Sequence, residues 1–369
     1  MIEKKAHSIV QSIFKAIVII AILYLFLLSI KLLGHSFKSF GHGFAETLLL
    51  MTSNPFSGLI IGIVATSIIQ SSSTTTSLVV GLVAGGALTL DSAVPMIMGA
   101  NIGTTITAGL VSFGHLKNRN EFRRAFGAGI VHDFFNILAV LILFPIEMFF
   151  HPIKKSAVLL ETLFSGAGGY KAFNPLKLIL DPVINLIDSA FVLFPYSYIL
   201  LMIFALFLLF FSLTRLVKTI RTLVVTRLEI IVNQYLFKNA FIGFLFGILI
   251  TAIVQSSSVT TSLIIPLAGA GIITVAQLFP YTLGANIGTT VTALLAAMTL
   301  QNPIAVTVAF SHLCFNIYGI LIIYPFKFIP INLAVYVGEK ASESTKNLVL
   351  FIIAYLSIYF IPIIFIFIT

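Results

Sequence analysis

Residues 70–73 read Gln-Ser-Ser-Ser, and the same four residues return at 255–258, 185 positions later. A second run, Gly-Ala-Asn-Ile-Gly-Thr-Thr, occupies 99–105 and returns at 284–290 with the same offset. Between 70 and 107, 20 of 38 positions are identical to their counterparts in 255–292, and the best-matched residues are polar. Because the surrounding sequence is apolar, this pattern predicts that two repeats of the chain build one polar site.

The composition excludes an ordinary water-soluble domain. Hydrophobic residues make up 59% of the 369 residues and charged residues only 9%, with a mean hydropathy of +1.11, whereas soluble domains carry about 25% charge. The single cysteine excludes an internal disulfide. The net charge of +9 fits basic loops on the cytoplasmic side of a membrane protein, and no nucleic-acid-binding motif accompanies it.

Long apolar runs predict an all-α polytopic membrane protein with roughly seven crossings, each about 17–25 residues long. The plainest runs are 9–33, 198–213 and 348–368. Around each Gln-Ser-Ser-Ser run, two apolar arms are each too short to span, so we expect two re-entrant helical hairpins with the serines near their tips. The Gly-Ala-Asn-Ile-Gly runs predict a broken transmembrane helix in each repeat, since glycine lets the chain open.

The repeats divide the chain into four segments. They are a first transport repeat with the N-terminal helix (1–150), an inter-repeat connection (151–196), a second transport repeat (197–347) and a C-terminal transmembrane helix (348–369). The repeats also correspond further along the chain. The first repeat has Val131-His132-Asp133-Phe134-Phe135-Asn136 where the second has Ser311-His312-Leu313-Cys314-Phe315-Asn316.

Loop charges predict that the two repeats have opposite orientations in the membrane. The first-repeat loop carries Lys117, Arg119, Arg123 and Arg124, whereas its counterpart, 299–303, has no charged residue. Conversely, the connector before the second hairpin is rich in arginine, and 34–54 before the first is not. Positive loops stay in the cytoplasm, so the sequence predicts inverted repeats, the architecture of transporters that bind solute at the bilayer midplane.

The polar runs contain ligands for both an anion and a cation. Hydroxyl groups and helix N-terminal N–H groups donate to an anion. Unwound carbonyls and the oxygens of Ser, Thr, Asn and Gln suit a hard cation such as Na⁺. No lysine or arginine lies within either run, so a bound anion would be held loosely enough to leave.

Five further side chains are candidates for a functional role. Asp133 is a carboxylate inside a predicted span, which makes it a candidate cation ligand, although it could instead pair with His132 or with Arg123 and Arg124. We expect His132 and His312 to pack between helices or to form hydrogen bonds instead of binding a metal, because no further ligand is repeated beside them to complete a metal site. The matched pair Asn136 and Asn316 could coordinate an ion or bond an exposed carbonyl.

Enzyme motifs are absent from the sequence, which predicts that the protein is not an enzyme. Gly-Ala-Asn-Ile-Gly-Thr-Thr lacks the lysine and preceding strand of a phosphate-binding nucleotide loop. A serine, its base and an orienting acid cannot be assembled into a hydrolase.

At these residues the sequence resembles the type II sodium-dependent phosphate cotransporter family. The resemblance rests on both Gln-Ser-Ser-Ser runs, both Gly-Ala-Asn-Ile-Gly-Thr-Thr runs, and 121–136, which begins Glu-Phe-Arg-Arg-Ala-Phe. It implies symport of inorganic phosphate, chiefly divalent, with Na⁺ as the coupling ion and no cofactor. In the family an Asp at the position of Asp133 goes with electrogenic transport, and a Gly with electroneutral transport. This chain has Gly127 and Gly129 where electrogenic members have alanine.

The resemblance and the polar runs together give a candidate site. For phosphate the candidates are Ser71, Ser72, Ser73, Asn101, Ser256, Ser257, Ser258 and Asn286. For Na⁺ they are Gln70, Thr104, Asp133, Asn136, Gln255 and Thr289. The expected partners are phosphate, Na⁺ and the lipid bilayer of a bacterial inner membrane, and the sequence does not fix an oligomeric state.

Three other functions fit parts of the pattern. The same donors would serve a Na⁺-coupled carrier of sulfate or a dicarboxylate. An ion-conducting channel would also line its path with polar residues. A membrane scaffold without flux would not need matched polar runs.

Overall fold

The computed structural model describes residues 2–39, 52, 54–172, 174–231 and 239–368. These residues form helices and turns without a strand, as predicted. Two charged positions of the predicted connectors, Glu46 and Lys238, lie outside the described residues.

The described part of the first half contains six α-helices before the inter-repeat segment. They are α1 (Ile2–Ser39), α2 (Pro55–Ile69), α3 (Ser72–Ala84), α4 (Leu90–Thr104), α5 (Ile106–Ser112) and α6 (Arg119–Phe150).

The segment predicted as a connection is itself helical. It holds α7 (Pro152–Gly166), α8 (Gly169–Ala172) and α9 (Asn174–Phe191). Both Glu147 carboxylate oxygens accept from the first amides of α7, those of Ile153 (2.7 Å) and Lys154 (3.0 Å). This cap fixes α7 at the end of α6, where Ile153 and Ala157 are fully buried.

The second half repeats the order of the first and adds a C-terminal helix. It holds α10 (Ser197–Ile231), α11 (Ala240–Val254), α12 (Ser257–Ser262), α13 (Ile265–Gly269), α14 (Val275–Leu300), α15 (Pro303–Ile323), α16 (Phe328–Glu343) and α17 (Thr345–Ile368).

Within the described residues, six segments are long and apolar enough to cross a membrane. They are Phe14–Phe37, Leu90–His115, Arg119–Phe150, Ser197–Thr219, Val275–Leu300 and Pro303–Phe326. The seventh predicted crossing corresponds to α17, which has 24 residues. Its segment Thr345–Tyr359 is apolar but shorter than the six segments above.

Each Gln-Ser-Ser-Ser run forms the turn of a helical hairpin. In the first hairpin, α2 and α3 have 15 and 13 residues, so each is about 20 Å long at 1.5 Å per residue, less than the roughly 30 Å of a hydrocarbon core. In the second, α11 has 15 residues and the returning arm is divided into α12 and α13. The expected hairpins with serines at the tip are therefore present.

The expected helix break occurs in the first repeat alone. There α4 ends at Thr104 and α5 begins at Ile106, whereas α14 runs unbroken through the second Gly-Ala-Asn-Ile-Gly-Thr-Thr. The glycines serve packing instead of opening the chain. A Cβ on Gly99 would overlap the Leu59 carbonyl of α2, and one on Gly284 would overlap the Phe244 carbonyl of α11.

Helix α1 forms polar contacts with the inter-repeat segment and with α10. Lys31 forms an ion pair with Asp181 of α9, and His35 Nε2 lies 3.2 Å from Asp188 Oδ1. Helices α1, α3, α4, α9, α10, α14 and α15 contribute to one apolar core, so α1 and α10 pack with helices of both repeats.

Candidate functional site

The two serine turns have the same backbone geometry. Gln70 and Gln255 end their helices in the left-handed region, at φ 57°, ψ 28° and φ 57°, ψ 27°. Ser71 and Ser256 follow in extended conformation, at φ −151° and −153°, and each begins the next helix as its N-cap. The sequence repeat therefore specifies one local structure twice.

The N-cap serines use their oxygens to close the turn. Ser71 Oγ accepts from Thr74 N at 3.2 Å, and Ser256 Oγ accepts from Val259 N at 3.4 Å. A serine hydroxyl that accepts in this way still has its own proton to donate.

The two turns meet each other inside the protein. Ser73 Oγ donates to the Gln255 carbonyl at 2.9 Å, and Ser258 Oγ donates to the Thr104 carbonyl at 3.3 Å. All the residues that make these contacts are buried. The two polar runs, 185 residues apart in sequence, thus form one cluster.

The middle serine of each run has a free hydroxyl group. Ser72 N donates to Thr104 Oγ1 at 3.1 Å, but the hydroxyls of Ser72 and Ser257 make no hydrogen bond to another described residue. Both side chains are nevertheless 4% exposed or less. Both hydroxyls are therefore available as donors and as acceptors in this arrangement.

The two asparagines of the Gly-Ala-Asn-Ile-Gly runs pair across the repeats with the two histidines. His132 Nε2 lies 2.7 Å from Asn286 Oδ1, and His312 Nε2 lies 3.3 Å from Asn101 Oδ1. Each repeat supplies a histidine to the other repeat's asparagine. The expected hydrogen-bonding role of both histidines is what the structure shows.

Asn136 joins the two asparagines to each other. Its Nδ2 donates to the Asn101 carbonyl at 2.7 Å, and its Oδ1 accepts from Asn286 Nδ2 at 2.9 Å. Its counterpart Asn316 donates to the His312 carbonyl at 2.9 Å. Asn136 thus bonds a carbonyl of another helix, whereas Asn316 bonds a carbonyl of its own helix.

Asp133 is buried, with 4% exposure, and its partners are not those considered from sequence. Its Oδ1 accepts hydrogen bonds from Thr105 Oγ1 and Tyr359 OH, and its Oδ2 has no partner among the described residues. The alternative pairing with His132, Arg123 or Arg124 is not observed, because no ion pair of the described residues includes Asp133. His132 instead bonds Asn286, and Arg124 Nε donates to the Gly269 carbonyl at 2.8 Å.

Sequence reasoning missed Tyr359, Tyr355 and Thr105 at this site. Tyr359 and Tyr355 lie on α17, outside both repeats, and are one turn apart in a predominantly apolar helix. That spacing was the only signal in the sequence. Thr105 lies within the first polar run, but its neighbour Thr104 looked equally suitable.

The two halves of the cluster are not equivalent in exposure. Gln70 is exposed, whereas Gln255 is 8% exposed and its Oε1 is buried without a partner. Thr289 Oγ1 donates to its own helix at Ala285 O, 2.9 Å away. Helix α12 has only six residues, so the longer α3 contributes the larger helix dipole.

Hydroxyl, amide and imidazole groups surround the cluster without a basic side chain. Among the described contacts, no lysine or arginine bonds any of the fourteen predicted site residues. Such a site can donate several hydrogen bonds to an anion while its carbonyl, amide and carboxylate oxygens remain for cations.

Comparison with known proteins identifies related chains. Residues 25–164 and 208–324 match the family model described as Na⁺/Pi-cotransporter. Sodium-dependent phosphate transport protein 2B of Rattus norvegicus is 34% identical over 92% of this chain and 63% of its own length. The Homo sapiens 2B protein is 31% identical over 90% of this chain and 62% of its length. The 2A protein of Mus musculus is 30% identical over 95% and 67%. The chain thus spans less than two thirds of the rat and human proteins, and no solved structure matches it.

Proposed function

We propose, because the chain belongs to the Na⁺/Pi-cotransporter family, that it carries inorganic phosphate across a cell membrane together with Na⁺. The observation that carries this proposal is the convergence of the two repeats. Ser73 of the first serine turn bonds Gln255 of the second, and Ser258 of the second turn bonds Thr104 at the end of α4. A site made from both repeats can open toward either side as the repeats move. The relatives are sodium-dependent phosphate transport proteins, which supports phosphate as the substrate and Na⁺ as the coupling ion.

Phosphate would lie between the two turns, where hydroxyl donors are concentrated. The free hydroxyls of Ser72 and Ser257 would bind it first, and a bound anion would replace the contacts that now join the turns. The proposed ligands are Ser71, Ser72, Ser73, Asn101, Ser256, Ser257, Ser258 and Asn286. Without a basic residue each bond is modest, which permits release on the other side.

Sodium ions would bind to oxygens that the protein leaves without partners. Asp133 Oδ2 and Gln255 Oε1 are both buried in this way, and a hard cation prefers such oxygens. Gln70, Thr104, Asn136 and Thr289 complete the proposed set. A retained Asp133 makes the proposed cycle electrogenic, with divalent phosphate and a net inward movement of positive charge.

The proposed mechanism is alternating access, and the proposed location is a bacterial inner membrane. The hairpins α2–α3 and α11–α12 would move against the helices that enclose them. In this arrangement Gln70 is exposed and Gln255 buried, a difference that fits access from one side at a time.

The test is ³²P-phosphate uptake into proteoliposomes under an inward Na⁺ gradient, at two clamped membrane potentials. We expect saturable uptake that requires Na⁺ and increases when the interior is negative. Unlabelled sulfate and dicarboxylates serve as competitors. Competition by sulfate stronger than by phosphate, or current in symmetrical salt without substrate, would refute the proposal.

A further inference from the structure

Helix α17 places a tyrosine hydroxyl on the Asp133 carboxylate. Tyr359 OH and Thr105 Oγ1 both donate to Asp133 Oδ1, and they lie 3.2 Å from each other. Tyr359 is fully buried and Thr105 is 1% exposed. One oxygen of the carboxylate is therefore held by two donors from different parts of the chain.

The approach of α17 depends on a close fit to the first repeat. A Cβ on Gly109 would overlap the ring of Tyr355, whose hydroxyl lies 3.5 Å from the Thr105 carbonyl and 3.4 Å from the Ile106 carbonyl. Helix α17 begins after residue 324, where the match to the family model ends. The contact thus joins the break between α4 and α5 to an element outside both repeats.

The buried carboxylate of Asp133 needs a nearby cation if it is to be stable in its ionised form. An ionised carboxylate removed from water is costly unless a positive charge is paired with it. In the part of the chain that the structure describes, no ion pair includes Asp133. Since Oδ1 already accepts two hydrogen bonds, Oδ2 is the atom left for a cation.

We propose that α17 completes a Na⁺ site at Asp133 and that Tyr359 is its positioning residue. Tyr359 and Thr105 fix the carboxylate through Oδ1 and so leave Oδ2 to bind the ion. This inference rests on the proposed function in one respect, the choice of Na⁺ as the cation. It adds a residue from an element that neither repeat contains.

The experiment compares Tyr359→Phe with wild type, because this change removes the hydroxyl and keeps the ring. Na⁺ activation of ³²P-phosphate uptake is measured in proteoliposomes, together with Na⁺-dependent thermal stabilisation in detergent without phosphate. We expect Tyr359→Phe to need about fivefold to tenfold more Na⁺ for half-maximal effect in both assays, since one charge-assisted hydrogen bond is lost. The half-saturating phosphate concentration at saturating Na⁺ should not change.

Two further variants separate positioning from packing. Tyr318→Phe removes another intramembrane hydroxyl, one that lies 2.5 Å from Ser156 Oγ, and should keep the wild-type Na⁺ response. Thr105→Val removes the other donor to Oδ1 and should shift Na⁺ activation in the same direction as Tyr359→Phe. This variant also keeps the test decisive if Tyr359→Phe fails to fold.

A double variant decides whether Tyr359 acts through Asp133. In an Asp133→Asn background, Tyr359→Phe should produce no further shift in the Na⁺ response. An unchanged Na⁺ response in Tyr359→Phe, or a full additional shift in the double variant, would overturn the inference. Failure of the proposed function is a separate result, because it appears as wild-type protein without Na⁺-driven phosphate uptake.

Discussion

The smallest features that matter are the hydroxyl groups of two serines. Ser72 and Ser257 occupy equivalent positions in the two turns and make no side-chain hydrogen bond to another described residue. We expect Ser72→Ala and Ser257→Ala each to raise the half-saturating phosphate concentration about tenfold, because a hydrogen bond to a charged group contributes roughly 1.5–3 kcal/mol. Uptake kinetics with both variants are the measurement.

A surface serine provides the matched control for this change. Ser189 lies on α9 and donates to its own helix at Asn185 O, 2.6 Å away, so Ser189→Ala should leave phosphate kinetics unchanged. If both site variants behave like Ser189→Ala, the two turns do not bind phosphate.

Asp133 permits a prediction about charge. Asp133→Gly removes the carboxylate that would hold an additional Na⁺, so we expect ³²P uptake to lose its dependence on membrane potential while it still requires Na⁺. Simultaneous measurement of current and uptake gives the charge moved per phosphate. Asp91→Asn removes an exposed carboxylate, 2.5 Å from Lys154 Nζ, and should keep the wild-type ratio. An Asp133→Gly protein with that ratio unchanged would contradict the assignment.

At this scale the sequence predicted that the two serine runs meet, but it did not predict the hydrogen-bond partners of Asp133. Serine runs repeated in apolar sequence are costly unless they meet polar groups, and that cost made their convergence predictable. The hydrogen bond from Tyr359 joins residues 226 positions apart and belongs to no repeat, so the sequence pattern could not indicate it.

Each hairpin turn contains a residue other than glycine in the left-handed backbone region. Gln70 and Gln255 have positive φ, and Gln255 also buries an amide oxygen without a partner. Such strain in a residue other than glycine is a reason to look for function. We expect Gln255→Gly to stabilise the fold by about 1 kcal/mol while it weakens Na⁺ activation of uptake.

Thermal unfolding and Na⁺ activation of uptake are measured on the same preparations, to test whether Gln255→Gly gains stability while it loses Na⁺ activation. Gln301 is the matched control, because it also has positive φ (49°) and ends α14 away from the turns. Gln301→Gly should leave Na⁺ activation unchanged. Normal Na⁺ activation in Gln255→Gly would show that this amide has no role in transport.

The helices show where prediction from repeats is limited. The sequence indicated two broken helices because it contained two identical glycine runs, yet α14 is continuous. The structure uses these glycines for close approach of backbones, as at Gly99 against Leu59 and Gly284 against Phe244. Glycine composition alone cannot distinguish a helix that opens from one that packs tightly, because both need the absence of a Cβ.

Across the whole molecule, inverted orientation of the repeats remains a prediction that labelling can test. Asn120 and Ile304 both lie in the first turn of a helix, α6 and α15, and both are exposed. In a Cys314→Ala background, single cysteines at these two positions should react with a membrane-impermeant maleimide from opposite sides of the membrane. The wild-type chain, whose one cysteine is the buried Cys314, is the separate control for non-specific labelling. Reaction of both variants from the same side would exclude inversion.

The exchanged histidine–asparagine pairs have a consequence for how the protein can be assembled. His132 is completed by Asn286 and His312 by Asn101, so either half made alone would leave ring nitrogens and amides unsatisfied in hydrocarbon. Severing the chain between 191 and 197 would cut none of these bonds. Two fragments synthesised separately should therefore associate with each other and restore transport.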